Sequence, residues 1–315
     1  MSTIIQALAP IFLLILLGYA LKRRGFPAPG FWPAAEALTY YVLFPALLLD
    51  KLARIDSGHA LGRMALALIL AVCTVSVLLL AARRLVHRDG PAFSSIFQGA
   101  IRPNTYVGLS AAAALLGPEG LSLAAVALMT LIPLVNVLSV SVLGRYGLGP
   151  DGEPRGAGLP GVLRELARNP LILSCAAGFC LNAAGLRLPS ALGETLRVLG
   201  SASLPMGLLA VGAGLRPSSV GAHVRGVLAA GTAKLLVLPL LTALFCRLLG
   251  VEGAAFGAAV IFTAIPVSAS SFILARQMGG DHGLMAAVIT AETAAAAATM
   301  PLLLSLFPGL LPPGA

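Results

Sequence analysis

The chain is a series of long apolar runs joined by short polar links. Each run holds about 20 predominantly apolar residues, the length that an α-helix needs to cross the hydrocarbon core of a bilayer. The pattern predicts ten membrane spans, numbered 1 to 10, at residues 3–21, 32–53, 61–82, 92–116, 120–144, 169–186, 190–215, 224–249, 253–277 and 283–307. We therefore expect an all-α polytopic membrane protein.

The composition agrees with this prediction. Hydrophobic residues make up 58% of the 315 positions and charged residues only 10%, which excludes an average soluble domain. A formal net charge of +9 would suggest nucleic-acid binding in a soluble protein, but here the basic residues cluster in the links between apolar runs. We expect contact with membrane lipid and none with nucleic acid.

The longest link divides the chain into two halves of five spans each. It is rich in glycine and proline, which is typical of a linker. We assign residues 1–146 to a first five-helix repeat, 147–166 to the linker and 167–315 to a second repeat. Because five is an odd number, the second half enters the membrane from the opposite side, and the two halves are predicted to form an inverted repeat.

The basic residues predict the orientation of the chain. The links after odd-numbered spans hold thirteen Lys and Arg residues, and the links after even-numbered spans hold six. Since the more basic links face the cytoplasm, we expect a cytoplasmic linker and two non-cytoplasmic termini. The expected location is the cell membrane, inner or plasma, with multiple passes.

Two spans are interrupted near their centres. Span 4 contains Arg102 and Pro103, and span 9 contains Pro266, which an offset of 163 residues aligns with Pro103. Proline removes an amide donor, and a central arginine adds roughly 2.5 to 3.5 kcal/mol to the cost of membrane insertion. The freed backbone groups need partners inside the protein or in a water-filled cavity. We predict that spans 4 and 9 are broken helices that cross and line a site.

Polar side chains near the two breaks form the candidate site. Arg102 either has a structural role, or it attracts an anion together with the positive end of the half-helix that begins near Asn104. The neutral side chains either replace lost backbone hydrogen bonds or contact substrate. Asn136 in span 5 either bridges helices or is itself one of the residues that contact substrate. The predicted substrate-binding residues are Arg102, Pro103, Asn104, Thr105, Asn136, Lys234, Pro266, Val267, Ser268 and Ser270.

Two opposite charges lie near the centres of spans 8 and 10. Lys234 and Glu292 either form a structural ion pair, or Lys234 attracts substrate and Glu292 takes part in proton or sodium coupling. The four cysteines lie in apolar runs and the four histidines in links, without the spacing of a metal site. We expect no enzymatic activity, no metal site and no cofactor besides a coupling proton or sodium ion.

Four segments of the sequence resemble the auxin efflux carrier family. They are Leu8-Ala9-Pro10-Ile11-Phe12 through Leu17-Gly18-Tyr19, then Tyr40-Tyr41-Val42-Leu43-Phe44-Pro45-Ala46-Leu47-Leu48, then Arg102-Pro103-Asn104-Thr105-Tyr106-Val107-Gly108, and finally Ala275-Arg276-Gln277-Met278-Gly279-Gly280-Asp281. In this order and spacing the resemblance covers essentially the whole chain.

The resemblance implies a fold and a mechanism. The family includes the plant PIN auxin exporters and bacterial carriers of malate, malonate and similar carboxylates, and its fold is similar to that of bile-acid and sodium/proton transporters. It implies a scaffold of spans 1, 2, 6 and 7, a moving transport domain of spans 3–5 and 8–10, and a substrate held where spans 4 and 9 cross. The short linker suggests a bacterial-type member, and a homodimer through the scaffold is a further expectation.

Together, the residues and the resemblance favour a secondary transporter of a small organic anion. The expected substrate is a carboxylate such as malate, malonate or an auxin-like acid, moved by elevator-type alternating access. One alternative is a sodium- or proton-coupled symporter of a larger amphipathic acid on the same fold. Another alternative is a non-transporting membrane sensor or a channel.

Overall fold

The computed structural model describes residues 2–28, 30–54, 60–87, 89–148, 167–186 and 188–307. Within these ranges the secondary structure is helical, with no strand beyond isolated bridges. The principal helices are α1 (Ser2–Arg23), α2 (Phe31–Leu52), α3 (Ala60–Ala81), α4 (Gly90–Ile101), α5 (Thr105–Tyr146), α6 (Pro170–Ala183), α7 (Ser190–Gly214), α8 (Pro217–Leu248), α9 (Gly253–Ala264), α10 (Ser270–Gln277) and α11 (His282–Ser305).

Seven helices in the described part of the chain are long and apolar enough to cross a membrane. They are α1, α2, α3, α5, α7, α8 and α11, while α6 and α9 are apolar but shorter. These helices agree with the expected all-helical polytopic membrane protein. The count of ten spans and the inverted repeat stay predictions.

The predicted boundary between spans 4 and 5 lies inside α5. The backbone leaves helical angles at Gly117, where φ is 63° and ψ is −150°. Glycine adopts a positive φ without the steric cost that a Cβ atom brings. Pro118 follows at the first position of the renewed helix, where a missing N–H group costs little. As a result, α5 consists of two helical arms, residues 105–116 and 118–146, joined at Gly117.

A π-helical turn interrupts both α2 and α8. The turns are Thr39–Leu43 and Ala233–Val237, and each lies shortly before a proline, Pro45 or Pro239. Because proline cannot donate a hydrogen bond to the preceding turn, a local widening of the helix accommodates the loss. The turn in α8 contains Lys234, so the predicted cation lies at an irregular point of its helix.

The backbones of α1 and α7 are in direct contact. A methyl group at Gly18 would lie 2.0 Å from the carbonyl oxygen of Leu209, and one at Gly212 would lie 1.8 Å from the carbonyl oxygen of Ile15. Small residues permit this approach between membrane helices, where packing and backbone contacts drive association. The two helices therefore form one tightly packed pair.

Replacing Gly212 should disrupt the pair of α1 and α7. Gly212→Val places a branched side chain against the α1 backbone, and we expect a loss of at least about 1 to 3 kcal/mol of stability, as overpacking usually causes. Gly214→Val is the matched control, because a Cβ atom at that position meets no described atom within 4 Å. Thermal unfolding in detergent, followed by size-exclusion chromatography, compares the two variants. Equal unfolding midpoints would contradict the close packing.

Candidate functional site

The two interrupted segments lie side by side. Residues 102–104 separate α4 from α5, and residues 265–269 separate α9 from α10. The segments run antiparallel and form a β-bridge between Pro103 and Val267. The backbone groups of one break are therefore within hydrogen-bonding distance of those of the other break.

Backbone hydrogen bonds join the two breaks. The N–H group of Asn104 donates to the carbonyl oxygen of Pro266 at 2.9 Å, and the N–H group of Ser268 donates to the carbonyl oxygen of Arg102 at 3.2 Å. Polar backbone groups cannot be left unpaired at membrane depth. Each broken segment thus satisfies groups that the proline of the other segment sets free.

Asn104 completes this arrangement with its side chain. Its Oδ1 atom accepts from the N–H groups of Tyr106 at 3.1 Å and Val107 at 3.3 Å, which caps the start of α5. Its Nδ2 atom donates to the carbonyl oxygen of Val267 at 3.4 Å. The residue is only 1% exposed. In this conformation the amide of Asn104 serves the backbone of both breaks.

Glu292 pairs with a backbone amide of the second break. Its Oε2 atom accepts from the N–H group of Val267 at 2.9 Å, and the residue is 1% exposed. Sequence reasoning placed Glu292 near the membrane centre but gave no sign of this contact, because residues 267 and 292 lie on different elements. The amide of Val267 therefore already has a carboxylate of the protein itself as its partner.

Lys234 lies near Glu292 without touching it. Both Lys234 and Glu292 are buried, so each lies out of reach of solvent. No salt bridge joins them, and in the described part of the chain neither Nζ of Lys234 nor Oε1 of Glu292 has a hydrogen-bond partner. A Cβ atom at Gly99 would lie 3.7 Å from that Oε1. The structure places both charges in one interior but does not close the predicted ion pair.

Arg102 is held by polar neighbours from two other elements. Its Nη1 atom donates to Oδ1 of Asn136 on α5 at 2.6 Å, and its Nη2 atom donates to the hydroxyl of Ser270 on α10 at 3.3 Å. The hydroxyls of Ser268 and Ser270 are 2.9 Å apart and share a hydrogen bond. The structure thus brings together four predicted site residues from three distant parts of the sequence.

This network forms part of the wall of a cavity of about 440 Å³. Six predicted residues line the cavity, and they are Arg102, Pro103, Thr105, Asn136, Ser268 and Ser270. Five others, Asn104, Lys234, Pro266, Val267 and Glu292, are buried or lie behind the wall and are not among its described lining residues. Their predicted roles toward substrate stay predictions.

Several lining residues were not predicted as site residues. Most of them are apolar, and the polar or aromatic ones are Glu36, Tyr40, Tyr41, Tyr106, Asn169 and Gln277. Glu36 had a signal in the sequence, since a carboxylate inside an apolar span is unusual. However, Glu36 lies near the start of span 2, where a charged side chain can also belong to the membrane interface. The tyrosines carry no sequence signal that separates a cavity wall from helix packing.

The second half of the chain matches a known family. Residues 157–304 match the family model described as membrane transport protein, which is the model of the auxin efflux carriers. Over these residues, a little under half of the chain, the sequence is similar to the auxin efflux carrier family. The match extends from the linker into α11 and therefore includes the second break. No curated protein matches the sequence.

The match indicates a membrane transporter and, over these residues, confirms the resemblance noted in the sequence. The family consists of transporters rather than enzymes, which fits the expectation of a non-enzymatic protein. The site agrees with this class, because a cavity and two mutually bonded helix breaks provide places to bind and release a ligand.

The separation of Lys234 and Glu292 leads to a stability prediction. Lys234→Met should destabilise the protein, because it removes the buried cation nearest to the Glu292 carboxylate and leaves that charge uncompensated. Adding Glu292→Gln should recover most of the loss, since the neutral amide retains an acceptor for the Val267 N–H group. Thermal unfolding of both variants in the same detergent provides the measurement. A double variant no more stable than the single variant would contradict electrostatic dependence between the two residues.

Proposed function

We propose that this transporter is a secondary carrier of a small organic anion, with a carboxylate as the recognised group. The observation that carries the proposal is the position of Arg102, at the wall of a cavity of about 440 Å³ and beside the paired breaks. Ligand cavities typically measure about 300 to 1,000 Å³. A cation in such a cavity attracts anions, and the low dielectric constant of the interior strengthens the attraction.

The neighbours of Arg102 support carboxylate recognition. Asn136 and Ser270 fix the planar guanidinium group by hydrogen bonds. A fixed guanidinium group suits a carboxylate because its N–H groups match the two oxygens in spacing. In the proposal, the substrate carboxylate lies against Arg102 and the hydroxyl of Ser268, while Asn104 keeps the breaks together.

The composition of the cavity wall supports alternating access of the elevator type. One part of the wall comes from α2 and the start of α6, and the other part comes from the two breaks, α5 and α10. We assign the first part to a scaffold of spans 1, 2, 6 and 7, and the second to a transport domain of spans 3–5 and 8–10. A displacement of the second group relative to the first would carry the site across the membrane.

The position of the cavity also favours one orientation. Glu36 lies near the start of α2, Asn169 precedes α6 and Gln277 ends α10. Each of these residues is close to a link that the basic residues assign to the cytoplasm. With both termini outside the cell membrane, the cavity opens toward the cytoplasm.

The ten-span inverted repeat is part of the same proposal. In this assignment α4 and the first arm of α5 form span 4, α9 and α10 form span 9, and the remaining spans are one helix or arm each. The exposed apolar side chains of α1, such as Leu13 and Leu16, then face lipid or a second copy in a homodimer. The bacterial-type assignment rests on the short linker.

A coupled symporter of a larger amphipathic acid is the second candidate. Two observations favour it: the tyrosines of the cavity wall offer apolar surface to such a substrate, and Glu292 is a buried carboxylate at the second break. Uptake into vesicles under imposed sodium or pH gradients separates it from an uncoupled carrier. A channel is distinguished by flux that does not saturate and by the absence of counterflow.

Anion recognition predicts a graded response at Arg102. Arg102→Gln should weaken all carboxylate ligands together by about 10- to 150-fold, equivalent to the loss of about 1.5 to 3 kcal/mol from charge-assisted hydrogen bonds. Arg102→Lys should retain part of the affinity because it keeps the charge. The exposed Arg247 gives a control, and Arg247→Gln should bind as the wild type does.

The measurement compares one carboxylate with its neutral amide analogue on each purified variant, by calorimetry or thermal shift. The wild type should strongly prefer the acid, and this preference should be lost in Arg102→Gln. Wild-type affinity that is equal for acid and amide would rule out Arg102 as an anion site.

A further inference from the structure

A second charged side chain, Glu36, lines the cavity, and it has no role in the attraction of anions by Arg102. Glu36 lies in the second turn of α2, is partly buried and lines the cavity. Its carboxylate forms no hydrogen bond or salt bridge with another described residue. Ionisable side chains within membrane spans are costly, and those that occur usually face a functional cavity.

Arg102 and Glu36 are the only charged side chains among the described lining residues. They come from different elements, the first break and α2, and no salt bridge joins them. A single ligand in the cavity therefore meets one cation and one anion. Complementary charge on a ligand would require a negative group toward Arg102 and a positive group toward Glu36.

Lys22 offers only a weak alternative partner for Glu36. It lies in the last turn of α1, acts electrostatically on Glu36 and forms no salt bridge with it. Lys22 is exposed to solvent and is not among the described lining residues of the cavity. Because solvent screens exposed charges, the carboxylate of Glu36 keeps most of its effect on a ligand inside the cavity.

The Val267 amide offers no additional place for an anion. The N–H group of Val267 is already bonded to Glu292 at 2.9 Å. A ligand with two carboxylates would therefore place one on Arg102, and for the other it would find no second cation among the described lining residues and no free amide at Val267. Its second carboxylate would instead enter a cavity that contains Glu36, and like charges disfavour that arrangement.

We propose that the preferred ligand of this cavity is an aminocarboxylate, with its carboxylate on Arg102 and its ammonium group on Glu36. The proposal rests on the proposed function and narrows the substrate class to acids that also carry a cation. The same cavity is also lined by Tyr40, Ile132 and Val135, which provide aromatic and apolar wall for a short hydrocarbon chain.

The test uses ligands that differ in one end group only. Full-length protein in detergent is titrated with 5-aminopentanoate, pentanoate and glutarate, which share a five-carbon chain, and with the four- and six-carbon homologues. The wild type should bind the best aminocarboxylate roughly tenfold more tightly than the plain acid, and the dicarboxylate more weakly than the plain acid.

Variants of Glu36 assign the preference to this residue. Glu36→Gln should remove the advantage of the amino group and leave the plain acid within about twofold of its wild-type affinity. Glu36→Lys should reverse the order, so that the dicarboxylate binds most tightly. Glu252→Gln is the matched control, because Glu252 is exposed and is not among the described lining residues, and it should keep the wild-type order.

The outcomes separate this inference from the proposed function. Equal wild-type affinity for the amino acid and the plain acid would overturn the inference alone, provided that the acids still depend on Arg102. An unchanged ligand order in Glu36→Gln would overturn it as well. If no carboxylate binds in an Arg102-dependent manner, both this inference and the proposed function as a carrier of organic anions are rejected. The wild-type ligand comparison decides the case even where a Glu36 variant does not fold.

Discussion

The structure depends on the need to pair every backbone polar group inside a membrane. Proline breaks two helices, and each break gives its freed groups to the other: Asn104 bonds Pro266, and Ser268 bonds Arg102. The side chains of Asn104 and Glu292 satisfy further amides at the same place. The breaks are stable only as a pair, and for this reason residues from opposite halves of the chain meet at one position.

This constraint divides the polar residues into two groups with different tasks. Asn104 and Glu292 are committed to the backbone and buried, whereas Arg102, Asn136 and Ser270 form a network at the cavity wall. Backbone pairing therefore leaves side chains of the first group unavailable to a ligand in this conformation. In this conformation a ligand is recognised by the second group and by the residues of α2 that line the same cavity.

Much of the fold could be predicted from the sequence because hydrophobic runs and prolines act locally. The apolar runs coincide with helices, and Pro103 and Pro266 mark the breaks. The partners of individual side chains could not be predicted, since they depend on helix packing. Glu292 bonding Val267, the gap between Lys234 and Glu292, and Glu36 facing the cavity are results of this kind. The sequence shows a glycine at position 117, but it does not show that the two helical arms of α5 join directly at this residue.

The most direct test of the central claim is protection of the cavity by ligand. In a variant without its native cysteines, Ser270→Cys is treated with a thiol reagent in the presence and absence of a transported carboxylate, and Ser218→Cys, at an exposed position, is treated in parallel. The account predicts that the carboxylate slows modification at position 270 and leaves position 218 unchanged. Equal modification rates at position 270 with and without saturating ligand would contradict a carboxylate site at the paired breaks.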